Sequence, residues 1–132
     1  MFVWFIADGD MHLKNLALLK IAEPRSHQFT SVRFAPLYDA VTTRVFPGLA
    51  GDRMALKLNG KDDRLARQDF LTLARTIDLP AARAEASMSE LAARLGDAVP
   101  AVALPEGMEE GAAKIAHDAV CEIVLARVKA FG

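Results

Sequence analysis

The chain has one cysteine, Cys121, among 132 residues. A single thiol excludes an intrachain disulfide and fits a reducing compartment, so a cytoplasmic protein is expected. Cys121 lies in an apolar helical run, where plain packing is its expected role. No apolar run approaches the ~20 residues a membrane-spanning helix needs. The apolar start, Met1-Phe2-Val3-Trp4-Phe5-Ile6-Ala7, is too short for a signal peptide and lacks a basic leader. No membrane partner is therefore expected. Neither sign of charge dominates: 16 Lys and Arg against 17 Asp and Glu leave a net charge of −1. That removes the footprint of a strong polyanion binder, and no direct nucleic-acid binding is expected. Internal repeats and low-complexity segments are also missing. What remains is ordinary for one small globular domain, with 52% apolar residues to fill a core and 25% charged ones to solvate it.

Against that background one stretch stands out, Ala7-Asp8-Gly9-Asp10-Met11-His12-Leu13-Lys14-Asn15-Leu16. Two acids, a His, a Lys and an Asn crowd a short turn between two apolar runs, where a rigid scaffold presents chemistry. Met1 to Ala7 reads as the last turns of a core helix or a short strand, and periodicity does not decide between them. An apolar run leading straight into such a loop has the look of a buried helix whose beginning is missing. Phe2, Trp4 and Phe5 are then expected to form a sticky exposed patch.

Downstream, Leu16 to Ile21 reads as a buried strand and Gln28 to Phe34 as a second one. They are joined through Glu23-Pro24-Arg25-Ser26-His27 into a hairpin. Pro36 stops the ladder because it has no N–H to donate. Leu37-Tyr38-Asp39-Ala40-Val41 then sets an acid beside an aromatic at a strand end, a second candidate site, with Trp4 and Tyr38 expected as core anchors. Thr42 to Arg53 reads as loop. Met54 to Lys61 alternates apolar and polar positions before an Asn-Gly turn, as a short strand or extended segment would.

From Leu65 the period becomes helical, with Leu65, Phe70, Leu73, Ala74 and Ile77 on one stripe. Asp78-Leu79-Pro80 ends that helix and Pro80 starts the next, whose stripe is Ala84, Met88, Leu91 and Leu95. Gly96 to Leu104 reads as a break. Pro105 opens a last helix, with Met108, Ala112, Ile115, Ala119 and Ile123 inward. Glu106, Glu109 and Glu110 fall in its first turn, and Arg127 and Lys129 near its end complement the macrodipole. The expected fold class is α+β, mostly α-helical, with a small β-hairpin. Residues 1–61 hold the loop, the hairpin and the Asp39 segment, and residues 62–132 form a helical subdomain.

Asp10, His12 and Asn15 are spaced Asp-x-His-x-x-Asn, with a second acid, Asp39, beyond the hairpin. Phosphoryl transfer needs such a set. One carboxylate orients the attacking hydroxyl, while an amide oxygen and another carboxylate hold Mg²⁺ against ATP phosphates. Asp8-Gly9-Asp10-Met11-His12-Leu13-Lys14-Asn15 resembles the catalytic loop of HipA-type serine/threonine kinases, the toxins of a bacterial toxin–antitoxin system, in which the loop reads roughly Asn-x-Asp-x-His-x-Lys-Asn. The Asp-x-His-x-x-Asn core is shared with aminoglycoside phosphotransferases and phosphoinositide kinases, and the adjacent Lys14-Asn15 narrows the resemblance to the HipA type. Pro36-Leu37-Tyr38-Asp39 resembles that family's metal-binding segment, and Met54 to Lys61 a further segment near its active site.

The resemblance implies a C-lobe portion of a protein-kinase-like fold, using ATP as substrate with Mg²⁺. It implies Asp10 as catalytic base, Asn15 and Asp39 as Mg²⁺ ligands, His12 as a brace for the loop, and Lys14 as a neutraliser of the transferring phosphoryl group. It implies a protein substrate and a HipB-like DNA-binding antitoxin as partners. Asp8 departs from the family's Asn. The larger departure is that no Gly-rich phosphate loop, strand Lys or adenine hinge is in the sequence. A missing N-terminal lobe, in cis or in trans, would supply them, and the chain alone is expected to be inactive.

Plainer readings stand beside these. Asp8 and Asp10 are also good turn formers, Lys14 a solvated charge, and His27 and His117 surface or helix-face residues. Lys57 and Asn59 divide between a turn and a substrate-side role. A zinc site at His12 with Asp8 or Asp10 lacks a third nitrogen or sulfur ligand nearby. The alternative function is a non-catalytic helical module that binds an antitoxin or a separate N-terminal subunit.

Overall fold

The computed structural model describes residues 1–108 and 110–132. In chain order it contains a one-turn helix α1 (Phe2–Phe5), strands β1 (Leu18–Ala22) and β2 (Phe29–Phe34), and helices α2 (Arg67–Thr76), α3 (Ala81–Ala98) and α4 (Gly111–Phe131). Helix outweighs strand, and the class is α+β with a two-stranded antiparallel hairpin. Among the described residues no helix is long and apolar enough to cross a membrane.

The hairpin follows from its alternating β-formers and its turn. Glu23 O accepts the Ser26 N–H at 3.0 Å, and Pro24 followed by Arg25 at φ 67° gives the type II geometry. Leu18 pairs with Phe34 and Lys20 with Val32, with an irregularity between Ile21 and Ala22. The expected burial of β1 is overturned, since every residue of it is exposed. A strand is buried only if something covers a face, and these two strands pair with each other while the helices pack elsewhere. Met54 to Lys61 forms no full strand. Asn59 (φ 52°) and Gly60 (φ 78°) make a tight turn closed by a Leu58–Lys61 bridge.

The core is aromatic and gathers around α1. Trp4 lies 5.0 Å from Phe5, 6.0 Å from Phe70 and 5.6 Å from Phe131, ring centre to ring centre. Each such pair adds about 0.5–1.5 kcal/mol beyond area burial. The expected exposed patch is therefore corrected: Phe5 and Trp4 are buried, and Phe2 is half-buried against them. Phe70 of α2 and Phe131 at the end of α4 close over the short helix. Arg127 of α4 lies over the Trp4 ring at 5.3 Å, donates to the Trp4 carbonyl and reaches Asp63 at 3.6 Å. It is thus a core-edge residue, not a dipole partner at the helix end. Among the described residues the Trp4 indole N–H finds no acceptor.

Helix boundaries differ from the sequence reading in three places. α2 starts at Arg67, after the buried Leu65, because the Asp69 carboxylate accepts the Ala66 N–H at 2.9 Å and fixes the first turn there. It ends in a Schellman motif with Asp78 at φ 55°: Leu79 N–H reaches Ala74 O at 2.8 Å and Asp78 N–H reaches Arg75 O at 3.3 Å. Ile77 caps that end and is exposed rather than on the buried stripe. α3 buries Ala84, Met88, Ala92 and Leu95 and runs through Gly96, where a single Gly costs only about 1 kcal/mol and packing overrides it.

α4 begins at Gly111, beyond Pro105, and its inward stripe is Val120, Val124, Val128 and Phe131. The expected stripe is about one residue out of phase. Ile115 is 71% exposed, and Met108 and Ala112 are exposed as well. This helix is apolar on several faces, so the seam was chosen by α3 and Trp4. Glu106 lies before the helix, Glu110 stands at the N-cap position with no side-chain capping bond among the described residues, and Glu109 lies outside the described residues.

Candidate functional site

The loop is launched by the end of α1. Ala7 takes φ 55°, Asp8 N–H bonds Val3 O at 2.9 Å and Ala7 N–H bonds Trp4 O at 3.1 Å, a Schellman cap with Ala where Gly is usual. This cap drives Asp8 inward, and it is fully buried. Its Oδ1 accepts the Asp10 N–H at 3.0 Å and its Oδ2 accepts the Val41 N–H at 3.4 Å. Asp8 is thus the buried organiser of the loop, more than a turn former, and it bonds segments 33 residues apart.

Thr43 makes the second clamp. Its hydroxyl accepts the Gly9 N–H at 3.0 Å and donates to Ala7 O at 3.1 Å, while its own N–H bonds Ala7 O at 3.2 Å. Gly9 is required by close approach. A Cβ there would sit 1.9 Å from Asp52 Oδ2 and 2.8 Å from Thr43 Oγ1, well inside contact distance. Thr43 and Asp52 lie in the stretch read as featureless loop, which carries no periodic signal. The Gly between two acids was the only local hint of crowding.

The sequence-nominated residues divide into two groups. Asn15 is buried and its Nδ2 donates to Asp39 Oδ2 at 2.7 Å, so the loop and the segment after the hairpin meet at these side chains. Asn15 Oδ1 accepts the His12 N–H at 3.3 Å. Asp39 is exposed and holds φ 54°. Tyr38, expected in the core, is exposed instead and donates its hydroxyl to Lys14 O at 2.5 Å, tying the same segment to the loop. Asp10, His12 and Lys14 form the second group. All three are exposed, and among the described residues their side chains make no hydrogen bond or ion pair with the protein. His12 contributes its backbone N–H to the loop, and its ring is left in solvent.

Asp39 and Asn15 offer one carboxylate and one amide oxygen. Such hard donors suit Mg²⁺ when waters and phosphates complete its shell. The amide now turns its nitrogen toward Asp39, and a half-turn would present the oxygen. Among the described residues no group of three or more His, Cys, Asp or Glu gathers to hold a metal. An ion held by these two oxygens would need waters or phosphates for the rest of its shell.

A family model described as the HipA-like C-terminal domain matches residues 1–99, which span α1, the loop, the hairpin, α2 and α3. No curated protein and no solved structure matches the chain.

Proposed function

The chain belongs to the HipA-like C-terminal domain family, and on that premise we propose that it is the catalytic-loop portion of an ATP-dependent serine/threonine protein kinase. The observation that carries this reading is the 2.7 Å contact between Asn15 and Asp39, on the same short loop that leaves Asp10 free to solvent. Asp10 would accept the proton of a protein hydroxyl and hold its oxygen in line with the γ-phosphate of ATP. Its N–H bond to the buried Asp8 fixes the backbone from which the carboxylate projects.

Asn15 and Asp39 would hold Mg²⁺, which when bound neutralises charge on the ATP phosphates. Lys14 would set its ammonium beside the phosphoryl group in transfer. Tyr38 acts as a positioning residue through its bond to the Lys14 carbonyl, and the His12 backbone N–H, rather than its ring, holds Asn15. The adenine hinge and phosphate cover would come from an N-terminal lobe in cis or in trans.

A second reading is favoured by the hairpin. Leu18, Phe29, Val32 and Phe34 are exposed, and an apolar groove of about 460 Å³ runs beside the loop between Phe2, Met11, Leu16, Leu37, Met54 and Phe70. Surfaces of this kind mark interaction sites, as expected of a non-catalytic module for a HipB-like antitoxin or an N-terminal subunit.

Phosphoryl transfer from labelled ATP to a protein substrate separates the two readings. The chain alone should give none above background, because positioning supplies up to ~7–11 kcal/mol of a barrier. Joined to or mixed with an N-terminal lobe it should transfer, and Asp10→Asn should remove that transfer while leaving the thermal unfolding midpoint unchanged. Transfer that survives Asp10→Asn would overturn the role given to Asp10.

A further inference from the structure

A polar cleft of about 280 Å³ is lined by Arg53, Lys61, Asp62, Asp63 and Arg64. Its charges are not balanced. Asp62 serves both Arg53, at 3.2 Å, and Lys57, at 3.7 Å. Asp63 serves Arg44 at 3.2 Å and Arg127 at 3.6 Å. Burial pushes the Asp63 carboxyl up, but the Arg64 N–H and the guanidinium groups of Arg44 and Arg127 bring it below its ordinary value, so it stays an anion committed to them. Lys61 is spent on Asp69 at 2.8 Å. Arg64 is exposed and among the described residues forms no ion pair, and its backbone holds φ 52°. An arginine in the left-handed region costs about 1–2 kcal/mol. The fold thus tolerates strain to put a free guanidinium at the cleft, beside an Arg53 that shares its carboxylate.

The cleft is coupled to the catalytic loop through one stretch of chain. Thr43 clamps Gly9, the next residue Arg44 bonds Asp52 O at 2.7 Å, Asp52 presses on Gly9, and Arg53 follows it. We propose that this cleft binds an oxyanion side chain, a glutamate, aspartate or phosphorylated residue, of the same protein segment that brings its hydroxyl to Asp10. The proposal rests on the kinase reading for the identity of that segment, and it assigns an acidic substrate class. Arg53 and Arg64 make charge-assisted hydrogen bonds to the oxyanion, and Asp62 remains paired with Lys57 when Arg53 turns to the ligand.

The test is binding, which needs no catalysis. Fluorescein-labelled serine peptides carrying two glutamates, one phosphoserine or two glutamines flanking the serine are titrated with the 132-residue chain by fluorescence anisotropy. The glutamate and phosphoserine peptides should bind and the glutamine peptide should bind at least about tenfold more weakly. Arg53→Gln and Arg64→Gly should each weaken the anionic peptides by about tenfold. Arg64→Gly also relieves the left-handed backbone, so its unfolding midpoint should hold or rise while binding falls, which no folding defect would produce. Equal binding of all three peptides, or unchanged binding in both variants, would overturn the proposal. So would displacement of the peptides by ATP alone with no dependence on peptide charge, which would make the cleft a nucleotide site. Acidic-peptide binding by a chain that never transfers phosphate, even with an N-terminal lobe, would leave the cleft standing and remove the kinase reading.

Discussion

Five of the seven phenylalanines fall in two contrasting regions of this molecule. Phe5, Phe70 and Phe131 are buried around Trp4, while Phe29 and Phe34 stand exposed on the hairpin, the latter at 71%. The side chains are the same, and what differs is whether a second element covers them. α1, α2 and α4 bring their rings into one cluster, whereas among the described residues no helix packs closely on either face of the two-stranded hairpin. The helical region therefore carries the stability. The hairpin and the stretch after it carry the geometry, bringing Asp39, Val41 and Thr43 back onto the loop at Asn15, Asp8 and Gly9.

The widest separation should come from paired truncations. Phe131→Ala removes a ring within 5.1–5.6 Å of Phe5, Trp4 and Phe70. It should cost ~3–5 kcal/mol in urea unfolding. Phe34→Ala should stay within about 0.5 kcal/mol of the parent. Similar losses from both would break the contrast and put the hairpin in the cooperative core. Next in size is Asp8→Ala. It strands the Asp10 and Val41 N–H groups and should cost ~1.5–3 kcal/mol. It should also free the amide protons of Asp10 and Val41 to exchange faster than those of α3. If they stay equally protected, Asp8 is not what joins the two segments.

A smaller effect lies in the helical region, at Asp78. Asp78→Gly should raise stability by about 0.5–1 kcal/mol, since Gly meets the left-handed Schellman position at φ 55° without steric cost. A loss would mean that the Asp side chain bonds locally in a way that offsets its backbone.

The smallest is a pH effect on α4. The Val102 carbonyl, 2.8 Å from Nε2, and then Asp118, 3.2 Å from Nδ1, raise the His117 pKa above 6.5. Both partners are acceptors, so only the doubly protonated ring satisfies both. A raised folded value means the contribution is fully present below pH 6.5, the unfolded value, and is lost as pH rises through the folded one. The imidazole proton shifts of His117 should titrate with a midpoint above 6.5. A midpoint at or below 6.5 would remove the link between α4 and the chain at Val102.

Where the signal was local, the sequence could be read. The Asp-x-His-x-x-Asn loop, the hairpin with its Pro24 turn, the Asn59-Gly60 turn and the buried face of α3 depend on residues a few positions apart, and each formed close to the reading, with Ala92 buried where Leu91 was expected and β1 exposed. The meeting of Asn15 with Asp39 was legible from residue type and spacing, while the Asp10 side chain projects into solvent and, among the described residues, bonds neither. Signals that depend on a distant partner were not legible. The phase of α4 was misread because that helix is apolar on several sides, and only α3 and Trp4 select among them. Tyr38 was read as a core residue from its type, yet its ring stays outside while its hydroxyl finds the Lys14 carbonyl.

By itself, then, the sequence determined the periods, the turn chemistry and the residue types of the loop, since backbone sterics and local hydrogen bonding act over a few residues. The tertiary structure alone decided that Trp4 and Phe5 are buried and β1 is not. It also decided that Asp8 anchors Val41, that Gly9 must lack a side chain under Asp52, and that Asn15 meets Asp39. Burial and these contacts are properties of pairs of segments 24 to 127 residues apart, and no local pattern encodes which face of one segment another will cover.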